Sequence, residues 1–369
     1  QLRLRNWAPL AVKPAAVSTV VLTHAHIDHS GYVPLLVRDG FAGKIYCTEA
    51  TYELCRILLP DCGRLQEEEA EYANRRGFSK HKPALPLYTE EDANRSLTRF
   101  APVEFEKELE FDGLRLRFVP AGHILGAAVV RLKHGARTIV FSGDLGRPNA
   151  PIMVAPLPVR NADYLVLEST YGNRRHDPED PGKKLARVIQ KTVARGGVVL
   201  IPSFAVGRAQ ALLYHIHLLK AEGAIATDLP VYLNSPMAVD ATRIYAQHVR
   251  DESLDPAGAE DGFGRLVPKN VHFHKSVEES KRLNELPGPR IILSASGMLT
   301  SGRVLHHLAR LLPDDSYPRE LLRRTRATMD LELDEIEKDV PRLPALDQPV
   351  VASLLARVRD VRARVAVSS

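Results

Sequence analysis

The chain has 369 residues, 44% of them hydrophobic and 26% charged, with a formal net charge of +5 at pH 7; this composition excludes wholesale disorder. No run approaches the ~18 consecutive apolar residues of a membrane-spanning helix, and Gln1-Leu2-Arg3-Leu4-Arg5 lacks the apolar stretch of a secretory leader, so a cytoplasmic protein of about two domains is expected. Cys47, Cys55 and Cys62 have no C-x-x-C spacing, which argues against a disulfide framework or a cysteine zinc site.

Along the chain, residues 18–23 are β-branched and mostly apolar and predict a buried strand. Helices are expected over 32–39, 48–59 and 65–75, and a basic run follows in Arg75, Arg76, Lys80, His81 and Lys82. Alternation predicts a strand over 114–119, and short apolar runs predict strands over 128–132, 138–142 and 164–167. After Gly172 the pattern changes to helix 181–194, strand 197–201, helix 207–222, strand 230–233 and helix 236–248. A Gly/Asp loop over 255–264, strand 290–293 and helix 301–312 complete it. Strands separated by helices of this length imply βαβ units and a parallel sheet. From Asp314 onward, Leu322, Met329, Leu333, Ile336 and Val340 share one helical face, and Val351 to Val365 define another. This predicts a charged helical hairpin as a tail.

The chemistry concentrates in Thr23-His24-Ala25-His26-Ile27-Asp28-His29-Ser30-Gly31, directly after the first strand. A strand end fixes where the loop starts, and a short loop aims several side chains into one space. Imidazole nitrogens beside a carboxylate suit zinc. His123, after Pro120-Ala121-Gly122, and Asp144, after Phe141-Ser142-Gly143, each end a strand in the same way.

These residues resemble the HxHxDH signature of the metallo-β-lactamase superfamily with its distal His and Asp. Later segments resemble the β-CASP branch of RNA- and DNA-processing nucleases. They are Glu168 to Gly172 (ESTYG), Pro202 to Gln210 (PSFAVGRAQ), Asn234 to Ala238 (NSPMA) and Ser294 to Arg303 (SASGMLTSGR). The likeness covers about residues 6–313 and is greatest to relatives of the cleavage subunit of pre-mRNA 3′-end processing. It implies an αββα-type α/β sandwich, incomplete at both ends, over 1–172, an inserted β-CASP α/β domain over 173–313, and a helical tail over 314–369. It further implies that His24, His26 and His123 hold one zinc, that Asp28 and His29 hold a second, and that Asp144 bridges them. Asp28 and Glu168 count as catalytic, Glu168 by orienting or polarising other groups. Ser203, Arg208, Ser235, Ser294 and Ser296, at strand-to-helix turns, would hold RNA phosphates.

The implied activity is zinc-dependent hydrolysis of RNA phosphodiester bonds by a hydroxide that two zinc ions activate. The implied partners are single-stranded RNA and, as an assembly, a homodimer or a larger processing complex, with no membrane. Two family segments, FSxHxD-like and VHGE-like, are not found in this sequence. The second zinc set therefore lacks one ligand and the general acid has no matched residue. Of the late histidines His272, His274, His306 and His307, the last two lie in a run that is not a ligand segment in relatives, and packing or surface positions are expected for all four. The alternative is a catalytically impaired relative that binds RNA or a protein partner.

Overall fold

The computed structural model describes residues 6–77, 79, 82–170, 172–173, 178–248, 266–299 and 302–311. The expected tail, the 255–264 loop, and Lys80 and His81 of the basic run lie outside the described residues.

The first sheet is parallel, with β1 (Thr19–Val21) beside β2 (Lys44–Cys47) and β2 beside β3 (Phe100–Pro102). Between β1 and β2 run the short helices α1 (Ile27–Ser30) and α2 (Val33–Arg38). Between β2 and β3 come α3 (Glu49–Arg76) and α4 (Glu90–Leu97). α3 is one helix, which corrects the two expected over 48–59 and 65–75. Pro60 lies inside it, where it removes one backbone donor. The second half is held by tertiary contacts: Gln66 Oε1 accepts from Leu87 N at 3.0 Å, and Glu67 Oε2 from Glu90 N at 2.9 Å. α4 starts at a capping box, Thr89 with Asp92.

The second sheet runs β4 (Leu109–Phe111), β5 (Leu114–Pro120), β6 (Ala128–His134), β7 (Arg137–Phe141) and β8 (Tyr164–Val166) in that spatial order. It is antiparallel except for the last pair, where β8 joins β7 in parallel. Leu116, Phe118, Ala128 and Val130 alternate onto one face and are buried with Val21 and Tyr46 of the first sheet. Fully burying a Leu or Phe stabilises by about 1.5–3 kcal/mol. The rings of Tyr46 and Phe111 stack at 5.1 Å between the sheets. α2 and α3 give a larger core through Leu35, Leu36, Leu54 and Leu59. β8 forms an edge, and Tyr164, Leu165 and Val166 are exposed there.

The later sheet is parallel throughout, in the spatial order β11 (Val271–Phe273), β10 (Val231–Asn234), β12 (Arg290–Ser294), β9 (Val198–Pro202). Its elements are α5 (Pro181–Val193), β9 (Val198–Pro202), α6 (Arg208–Ala221), β10 (Val231–Asn234) and α7 (Pro236–Gln247). They continue with β11 (Val271–Phe273), α8 (Val277–Arg282), β12 (Arg290–Ser294) and α9 (Arg303–Leu311). Ile291 and Leu293 of β12 and Leu213 and Ile216 of α6 are fully buried in a core of their own. α7 reaches back into the first core: Ala241, Ile244 and Tyr245 pack there with Ile124 and Leu125. No helix among the described residues is long and apolar enough to cross a membrane.

Candidate metal centre and nucleic-acid interface

β1 delivers the chain to His24, which is fully buried. His26 then caps α1, and Ser30 Oγ ties the turn by donating to Ala25 O at 2.9 Å and to His26 O at 3.1 Å. β5 ends at Pro120, three residues before His123, and β7 ends at Phe141, three before Asp144. These loops converge. One donor atom each from His24, His26, His123 and Asp144 lies within 4.8 Å of the others.

The geometry fits a cation. His24 Nε2 is buried without a hydrogen-bond partner and lies 3.9 Å from Asp144 Oδ2. His123 Nε2 is 3.5 Å from the same oxygen and 3.2 Å from His26 Nδ1. Burial, then the neighbouring His29, His26 and His123, push the His24 imidazole down to about 2. Burial and His123 push His26 down to about 4, against Asp28 and Asp144. Burial also lowers His123, against Asp144 and Glu168. These shifts favour the neutral imidazoles, whose lone pairs metal ligands must offer. A donor set of three imidazoles and one carboxylate suits zinc.

Asp28 and His29 adjoin this group without entering it. His29 Nε2 is 3.3 Å from Asp144 Oδ1 and 3.5 Å from Asp28 Oδ2, and the Asp28 side chain is 78% exposed. Asp144 therefore stands between the two sets. Glu168 acts at the next remove: its Oε1 accepts from Leu145 N at 2.6 Å, beside Asp144. Its own N–H donates to Ser142 Oγ at 3.0 Å. Gly143 makes this turn possible, with φ of 54° and an added Cβ only 2.7 Å from the Thr23 Cβ. Thr23 Oγ1 lies 3.1 Å from His24 Nδ1. The tautomer with Nδ1–H donating to Thr23 leaves the Nε2 lone pair facing Asp144.

The later sheet brings its turns to the same place. Gly207 opens α6 at φ 79°, and a Cβ there would lie 2.7 Å from Cγ2 of Ile124, the residue after His123. Leu125 N donates to the Tyr245 hydroxyl of α7 at 3.1 Å. Of the five residues expected on RNA phosphates, Arg208 is exposed and Ser296 half-buried. Ser203, Ser235 and Ser294 are buried. Ser235 Oγ caps α7 through Ala238 N at 3.2 Å, and Ser294 Oγ donates to Asn234 O at 3.3 Å.

Two side chains escaped sequence reasoning. Phe204 and Met298 are 54% and 69% exposed at these turns, and Gly297 packs on Phe204. Their signal was available, since an apolar residue within a phosphate-type turn has no packing role in the turn itself. The late histidines do not join the cluster. His307 is buried between Asn234 and Asn284, and His272 stacks on Tyr232.

Comparison with known proteins agrees in two segments. The Metallo-beta-lactamase superfamily matches residues 4–181 and the Beta-Casp domain matches residues 209–317. Ribonuclease TTHA0252 of Thermus thermophilus is 37% identical over 320 residues, 86% of this chain and 69% of its own length. Transcription termination factor FttA of Methanocaldococcus jannaschii is 31% identical over 81% of this chain and 46% of its own. Endoribonuclease YSH1 of Eremothecium gossypii is 28% identical over 81% of this chain and 38% of its own.

Proposed function

The chain belongs to the metallo-β-lactamase superfamily, in the branch that carries a Beta-Casp domain, and from that membership we propose that it cleaves RNA phosphodiester bonds with zinc as cofactor. The observation that carries this reading is the adjacency of the His24–His26–His123–Asp144 cluster to the Gly207–Arg208 turn. On this reading, residues 1–172 form the metal-holding domain and 173–313 the RNA-gripping one, with single-stranded RNA between them.

His24, His26, His123 and Asp144 would hold one ion, and His29 and Asp28 would approach a second across Asp144. When bound, zinc supplies Lewis acidity toward phosphoryl oxygens and activates a water for attack at phosphorus. The chain does the rest. Its neutral imidazoles and the Asp144 carboxylate fix the reacting centre. Thr23 orients His24, and Glu168 holds the backbone that aims Asp144. Arg208 offers a cation to the phosphate backbone. Ser203, Ser235 and Ser294 brace the turns from within, and Ser296 and the α6 N-terminus face the strand.

The test is one labelled single-stranded RNA, scored for cleavage and for affinity. Asp144→Ala is expected to abolish metal-dependent cleavage and leave binding intact. Arg208→Ala is expected to weaken binding, with less salt dependence, since each phosphate contact releases counterions. Absence of RNA binding at low salt overturns the reading. Intact binding without metal-dependent cleavage by the wild-type chain favours the catalytically impaired alternative.

A further inference from the structure

Away from the metal cluster, β5 and β6 place Arg117 and Arg131 directly opposite each other in register, so both side chains stand on one face of the sheet. Like charges directly opposite across a ladder are destabilising. Only one of the pair is neutralised: Arg117 pairs with Glu106, while the Arg131 side chain has no partner among the described residues. The Nε atoms of both arginines are buried without an acceptor.

A third guanidinium joins them. The loop from Leu157 to Asn161 passes over this face, and Arg160 on it has no carboxylate partner among the described residues. Between loop and sheet lies an open cleft of about 390 Å³, lined by these three arginines, Glu106, and apolar side chains that include Val119 and Leu157. That volume lies at the lower end of the range for small-molecule sites, about 300–1,000 Å³. Among the described residues, three guanidiniums against one carboxylate leave two positive charges uncompensated.

We propose that this cleft is a binding site for a phosphate monoester of nucleotide size. The charge matches, since a monoester carries about −1.5 to −2 at neutral pH. Its terminal oxygens suit the planar forks of Arg131 and Arg160, which bind phosphate bidentately. A diester offers one charge and two free oxygens, a poorer match. The organic part of the ligand rests on Leu157, Pro158 and Val159. The site is independent of the metal cluster and of the phosphate-type turns, which use other residues. Its occupant is the phosphate of a free nucleotide or the terminal phosphate of an RNA.

Adenosine 5′-monophosphate is the probe, titrated calorimetrically into the full metal-loaded chain. Arg131→Gln and Arg160→Gln should each weaken the wild-type binding at least tenfold. Adenosine should not bind, and the diester ApA should bind at least tenfold more weakly. Because Arg131→Gln relieves a like-charge pair, its melting temperature should equal or exceed that of the wild type. If that variant does not fold, Arg160→Gln, on the exposed loop, decides alone. Phosphorylated and unphosphorylated forms of one tetranucleotide separate the sources. A preference for the phosphorylated form that Arg160→Gln removes assigns the RNA terminus; monophosphate binding without such a preference assigns the free nucleotide. Equal monophosphate affinity in wild type and Arg160→Gln, or no binding by the wild type, overturns the proposal.

Discussion

At the scale of single residues, the candidate metal cluster depends on groups outside it. Glu168 holds the Leu145 amide and thereby the direction of Asp144. Outer-shell partners of this kind typically contribute about 10–100-fold to metal affinity or activity. Glu168→Ala should therefore lower cleavage about 10–100-fold with RNA affinity unchanged, and Glu168→Gln, which keeps an acceptor, should recover part of the loss. Equal rates in wild type and Glu168→Ala would show that the backbone holds Asp144 unaided. Phe204 is a different case, an aromatic ring left 54% exposed beside the phosphate-type turns. A base stacked on such a ring contributes about 1–3 kcal/mol. Phe204→Ala should weaken single-stranded RNA binding roughly five- to hundredfold on that figure, with zinc content and melting temperature unchanged; equal affinity would remove the stacking role.

At the scale of elements, α7 ties the later sheet to the loop that carries His123. Tyr245 of α7 accepts from Leu125 N, a bond between residues 120 positions apart. Both partners are buried, so Tyr245→Phe leaves an amide unsatisfied, at a cost of about 1–3 kcal/mol. Urea unfolding should show that loss, and zinc retention after dialysis should fall with it, because His123 shares the loop. Unchanged retention would mean that the loop keeps its shape without α7. No sequence pattern exposes a contact of this range, whereas the candidate cluster was legible because HxHxDH sets four ligand-type side chains into six positions after an apolar strand, of which His24 and His26 meet His123 and Asp144. The same division runs through the fold. β5, β6, β7, β9, β10 and β12 announce themselves as apolar or alternating runs. β2, β3, β4 and β11 are three or four residues each and, unlike the equally short β1 and β8, lie in no longer apolar run that marks them. α3 runs unbroken past Pro60, a local breaker, because contacts from the 87–90 segment hold its second half. α4 and α8 did carry a readable signal, the capping boxes Thr89/Asp92 and Ser276/Glu279.

At the scale of the whole molecule, the parallel sheet is locked at one end by a buried polar hub. Asn234 Nδ2 donates to Ser280 Oγ at 2.7 Å and to His307 Nε2 at 2.6 Å, while its Oδ1 accepts from Arg303 at 2.8 Å. His307 Nδ1 in turn donates to Asn284 Oδ1 at 2.7 Å. This arrangement is satisfied by one neutral tautomer only. A proton on Nε2 would set donor against donor, and an amide flip of Asn234 would carry the conflict to Arg303. Burial, then His306, Arg303 and Arg290, push His307 down from 6.5 to about 4. The sign follows: the unfolded chain takes up this proton below 6.5, and the folded chain only near 4. Stability from this group is therefore complete above pH 6.5 and is lost as pH falls from 6.5 toward 4. Each such histidine adds up to about 1.4 kcal/mol per pH unit to the slope. His24, His26 and His123 act in the same direction. Urea unfolding of the metal-loaded chain at intervals across this window should show declining stability. His307→Gln keeps one acceptor and one donor without titrating, so its decline should be shallower than that of the wild type. Identical slopes in the two proteins would show that His307 carries none of the acid sensitivity.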